Sequence, residues 1–140
     1  MTNRNRGLAV LLVLTGIGTL LYWANYFAAG DVRVSLERWY TAFEDSFPAA
    51  DTWMALTALA AGIGLWRGAA WATRAGLLVG SALIFLAAMD ITFNIENGLY
   101  GLAATSSPMQ FEIVVNAWTL LLGVFTVSAC WKTQVIPGTT

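Results

Sequence analysis

Asp90, Asn94 and Asn97 recur at the three- and four-residue steps of one helix face, and the same stripe runs back through Ala87, Leu83, Gly80 and Gly76. Half of the stripe is small and half is polar. Such a period is the seam of a left-handed helix bundle, so a helix continuing past Asp90 would aim these polar groups at the bundle interior. Glu112, Asn116, Thr119 and Gly123 make a second stripe of the same form. Asp51, Ala55, Ala58 and Gly62 make a small face headed by a carboxylate, and Gly18, Leu21 or Tyr22, and Asn25 lie together on a fourth helix. Asp90 and Glu112, forced together in a low-dielectric pocket, could share one proton at neutral pH and serve as acid and base. The same acids would equally hold a cationic or lipid-like molecule.

The candidate site is therefore Asn25, Asp51, Asp90, Asn94, Asn97, Glu112 and Asn116, joined by Trp118, whose indole N–H inside an apolar run needs a partner or a ligand. Plainer readings stand beside this one. Asp51 would lie in the first turn of a helix, where an acid favours the dipole. Glu112 closely follows Ser106, Ser107 and Pro108, a helix start. Asn116 could simply make an interhelical hydrogen bond of ~0.6 kcal/mol, up to ~1.7.

The elements that must position these groups are apolar. Of 140 residues, 58% are hydrophobic and 11% charged, against about 25% charged in soluble domains, and the mean hydropathy is +0.66. Four runs account for this, each near the ~20 residues that a helix needs to cross ~30 Å of hydrocarbon. The expected fold is an all-α integral membrane protein, a single domain over 1–140 with spans at about 7–28, 49–66, 71–97 and 109–131. The first run follows "MTNRNR" but exceeds the roughly 7–15 residues of a signal-peptide core, so it is expected to be retained.

Four spans put both termini and the 67–70 turn on one side, with Arg4, Arg6, Arg67, Arg74 and Lys132. Only Arg33 and Arg38 fall on the other. The positive-inside rule then predicts cytoplasmic termini in a cell (inner) membrane. All eight acids lie in the outer loops or the outer parts of the spans; Asp31, Glu37, Glu44 and Asp45 among them read as residues merely kept away from anionic lipid. Leu36, Tyr40, Phe43 and Phe47 share one face of residues 33–47, which predicts a short interfacial helix ending at Pro48, with Glu44 off its apolar stripe.

The absences exclude several chemistries. There is no histidine and a single cysteine, Cys130, which removes bis-His haem, the common zinc sites, disulfides and the usual neutral-pH general base. No lysine lies within a run, so no retinal-type Schiff base can form. No nucleotide loop, metal-binding spacing or nucleic-acid patch is present. The chain is expected to use no cofactor and no metal, and to partner the bilayer, a lipophilic ligand, a second copy or another membrane protein.

"ERWYTAFEDSFPAADTWMA" followed by "DITFNIENGLY" resembles small uncharacterised bacterial four-helix membrane proteins, a likeness that covers most of the chain and supplies no chemistry. The order of one helix, a "WY…F" segment, then three helices with inward acids and amides is also similar to the EXPERA family. Its emopamil-binding sterol isomerases and sigma-2 receptor hold sterols or cationic amphiphiles against buried carboxylates. The correspondence is limited to the layout, Trp39–Tyr40 and the intramembrane acids. This chain lacks the histidine that the isomerases use, so isomerisation does not carry over and amphiphile binding rests on layout alone.

Three function classes follow: a binder of a lipophilic or cationic molecule or of a partner helix, a membrane enzyme using Asp90 and Glu112, and a cation- or proton-coupled transporter subunit. The inner halves of the spans are poor in polar residues, which disfavours transport.

Overall fold

A computed structural model describes the backbone of residues 3–30 and 32–135, and the side chains of residues 6–30 and 32–132. Asp31 and the side chain of Arg4, both part of the charge pattern above, lie outside the described residues. The chain forms α1 (Asn3–Ala28), α2 (Arg38–Glu44), α3 (Pro48–Arg67), α4 (Ala72–Glu96), a 3-10 helix (Leu99–Ala104) and α5 (Ser107–Val135). No strand occurs among the described residues. Arg6–Ala28, Ala72–Glu96 and Ser107–Lys132 are long and apolar enough to cross a membrane. Leu14, Leu21, Leu78, Phe85, Val114 and Leu121 are exposed along them, as side chains facing lipid would be. The protein is all-helical and membrane-embedded.

Local chemistry sets the helix ends. Pro48 opens α3 with Asp51 in its first turn, where a missing N–H and a negative charge are both favourable. Ser106 Oγ accepts from the Met109 N–H at 3.2 Å, which caps the start of α5. At the other end of α3, Gly68 has φ +70°. The Gly68 and Ala69 N–H groups turn back to the Leu65 and Gly64 carbonyls at 3.2 and 2.9 Å, so the chain reverses within a few residues.

The helices pack in sequence: α1 on α3, α3 on α4, α4 on α5. Two of these contacts are backbone against backbone. A Cβ on Gly123 would lie 3.0 Å from the Gly80 carbonyl oxygen, and one on Gly62 would lie 2.8 Å from that of Ala9. The small stripes on α3, α4 and α5 thus have partners, and close approach of helices is what such residues permit. The fourth side differs, because α1 and α5 form no packed interface.

The expected interfacial helix over 33–47 requires correction. Only Arg38–Glu44 is helical, and Leu36 is 82% exposed outside it. Tyr40 is fully buried with Leu99 and Met109, and Phe43 stacks on Phe93 of α4 with ring centroids 3.5 Å apart. The segment lies across the ends of α4 and α5 as a cap on the bundle. Burying Tyr40 fully and Phe43 in part against Phe93, Leu99 and Met109 removes apolar surface that a seven-residue helix on its own would leave exposed.

Candidate functional site

Beneath the α2 cap lies a cavity of about 260 Å³. Its α1 wall is Thr15, Gly18, Thr19, Tyr22 and Trp23. Asp51 and Met54 of α3, Leu86, Ala87 and Asp90 of α4, and Phe111, Glu112, Val115, Asn116, Trp118 and Thr119 of α5 complete the ring, and Glu44 and Phe47 close the α2 end. Four carboxylates therefore face one space: Glu44, Asp51, Asp90 and Glu112. No Arg or Lys among the described residues lines it. Arg33, the basic residue nearest in the chain to the cavity-lining Val32, is engaged elsewhere. It lies over the Tyr26 ring, 4.4 Å from its centroid, and donates to the Tyr26 carbonyl at 3.4 Å.

Three of the four acids are held by a neutral donor on another element. Trp23 Nε1 donates to Asp51 Oδ2 at 2.8 Å. Tyr40 Oη donates to Glu112 Oε2 at 3.2 Å, and Asn94 Nδ2 donates to Glu112 Oε1. The Asn116 amide interacts with Asp90 and also donates to Tyr100 Oη at 3.4 Å. Outside the spans, burial pushes Glu44 up to about 8, with the Asp90 and Glu112 charges next in effect and Tyr40 opposing them. Tyr40 is likewise pushed up by burial and then by Glu44 and Glu112. The charged forms of both lack a compensating cation.

Of the residues singled out from the sequence, Asp51, Asp90, Glu112, Asn116 and Trp118 line the cavity. Asn94 is fully buried behind Glu112 and orients it. Two residues lie elsewhere. Asn97 is exposed just past the α4 end, where its side-chain amide donates to the Phe93 carbonyl at 2.9 Å; the stripe stops because the helix stops at Glu96. Asn25 is exposed on α1. The α1 face that meets the cavity runs through Thr15, Gly18 or Thr19, and Tyr22, and its next position is Tyr26 rather than Asn25, one residue or about 100° round the helix.

Trp118 both lines the cavity and remains 44% exposed. Its indole N–H meets Thr15 Oγ1 at 3.0 Å. Glu44, only 7% exposed, is the residue that sequence reasoning placed wrongly. Tyr40, Glu44 and Phe47 also stand at i, i+4 and i+7, a stripe as regular as the Leu36 one, and this signal could have pointed to it. The cap position of α2 decides between the two stripes.

No family model, curated protein or solved structure matches this chain.

Proposed function

We propose that this protein binds a small lipophilic organic cation in the carboxylate-lined cavity. The observation that carries the reading is four carboxylates around one largely apolar space with no cationic side chain among its lining residues. Burying several acids without a counter-charge is unfavourable, and an ammonium group would relieve it. Tyr22, Trp23, Phe47, Phe111 and Trp118 surround the same space and suit a cation over aromatic faces. Among the described residues no cluster of three acids, histidines or cysteines is close enough to hold a metal ion, which favours an organic ammonium over an inorganic cation.

In this reading α3 also spans the bilayer, making four spans, with both termini cytoplasmic and the α2 cap at the outer face of an inner membrane. An acid–base role for Asp90 and Glu112 is less favoured because Tyr40 and Asn94 occupy both oxygens of Glu112. Transport is less favoured because the cavity lining ends at Thr15 and Trp118, beyond which α4 and α5 are in backbone contact at Gly80 and Gly123.

The test is equilibrium binding of hexylamine and hexanol to the protein in nanodiscs. The amine is expected to bind and the alcohol to bind at least tenfold more weakly, a difference of about 1.4 kcal/mol. Asp90→Asn is expected to weaken the amine by a similar factor while leaving the fold intact. Equal binding of amine and alcohol, or an unaltered Asp90→Asn variant, would overturn the proposal.

A further inference from the structure

Three sides of the helix ring are closed by packing and the fourth is not. The α1–α3 and α4–α5 contacts are tight enough that a single Cβ on Gly62 or Gly123 would meet backbone atoms. On α1, Gly18 lines the cavity, yet a Cβ there would meet nothing within 4 Å. Two contacts bridge the opening between α1 and α5. The Thr15–Trp118 hydrogen bond of 3.0 Å closes one end, and the stacked Tyr22 and Phe111 rings, 6.4 Å apart at 19°, close the other. Between them lie Gly18 and Thr19 on one side and Glu112, Val115 and Asn116 on the other, with Glu112, the one acid among them, next to Phe111 at the α2 end.

We infer that the ligand is a long-chain amine whose tail leaves the cavity sideways into the bilayer through this α1–α5 opening, with its ammonium group at the carboxylates. The inference rests on the cation-binding reading above and adds the ligand's shape and orientation.

Charge is graded along the cavity. All four acids sit towards the α2 end, and the wall below Asp90 and Glu112 carries no charge as far as Thr15 and Trp118. From Glu112 to Thr119 the helix rises about 10 Å, so the opening runs along the bilayer normal from the acids into the apolar region. Size decides the tail's path. At about 260 Å³ the space lies under the ~300–1,000 Å³ usual for drug-sized ligands. A tail longer than this space accommodates extends through the opening. Val115 and Trp118 flank that exit and are themselves partly exposed to the lipid side.

The experiment is photolabelling of the wild-type protein in nanodiscs with dodecylamine carrying a terminal diazirine, with and without a large excess of unlabelled dodecylamine. A butylamine diazirine serves as the short control. Adducts are mapped by peptide mass spectrometry. The long probe is expected to label the lipid-facing surfaces of α1 and α5 beside Gly18 and Val115, with at least tenfold loss on competition. The short probe is expected to label residues inside the cavity. Competable labelling of α2 or of the α3–α4 side by the long probe would overturn the sideways exit. So would labelling by the short probe alone, and in both cases the cation site itself would stand. If neither probe gives labelling that competition removes, the cation-binding reading fails as well.

Discussion

Replacing Glu44 by Gln separates the electrostatic burden of the cavity from its packing. Glu44 is 7% exposed, and it titrates near 8 instead of its ordinary 4.5, first because it is buried and then because Asp90 and Glu112 face it. Below pH 4.5 both folded and unfolded chains hold the proton, and no penalty arises. As the pH rises from 4.5 to 8, the unfolded chain ionises while the native one keeps its proton, so stability falls by about 1.4 kcal/mol for each pH unit. The loss amounts to about 3 kcal/mol at pH 7 and approaches 5 kcal/mol above pH 8, for the interval between 4.5 and about 8. Glutamine has nearly the same shape and no charge to lose. Glu44→Gln is therefore expected to match the wild type at pH 4.5 and to exceed it increasingly towards pH 9, measured by thermal or denaturant unfolding in detergent. A bound amine should narrow the gap by supplying the missing charge: saturating hexylamine stabilises the wild type at pH 9 more than it stabilises the variant. A wild-type–variant difference that does not change with pH, or a variant weaker at alkaline pH, would refute the reasoning.

The glycines give a steric contrast. Gly123→Ala, whose Cβ would lie 2.8 Å from Ile84 Cγ1 and 3.0 Å from both the Gly80 oxygen and the Ile84 nitrogen, is expected to destabilise by roughly 1–3 kcal/mol, whereas Gly18→Ala meets open space and should be neutral or slightly stabilising; the same unfolding assay compares them. Topology is open to cysteine labelling in a Cys130→Ser background. Thiols introduced at Thr2 and Ala70 are expected to resist an impermeant reagent applied outside intact cells and to react after permeabilisation, and reaction of either from outside would break the proposed arrangement of four spans.

The helix boundaries were legible because they follow from local rules. Runs expected at about 7–28, 49–66, 71–97 and 109–131 correspond to helices at Asn3–Ala28, Pro48–Arg67, Ala72–Glu96 and Ser107–Val135, with Pro48, Gly68 and Ser106 marking three of the ends. Side-chain periodicity on one helix was legible for the same reason, and it singled out Asp51, Asp90, Glu112 and Asn116, which line one cavity. It failed wherever the outcome depends on a neighbour. Asn25 and Tyr22 are only three residues apart on α1, and only the position of α3 and α5 decides which of them faces the cavity. Asn97 continues a stripe that its helix does not.

Sequence by itself determined the apolar helices, most of their ends, their small-residue faces and the absence of histidine and of a second cysteine, because composition and local spacing suffice for these. Tertiary structure alone decided that Glu44 turns inward, that Asn94 stands behind Glu112, that Trp118 meets Thr15 across 103 positions of sequence, and that α1 and α5 are bridged by side chains rather than packed together. Those features are relations between segments distant in the chain, and they arise only when α2 is laid over the bundle end and the helices are packed against one another.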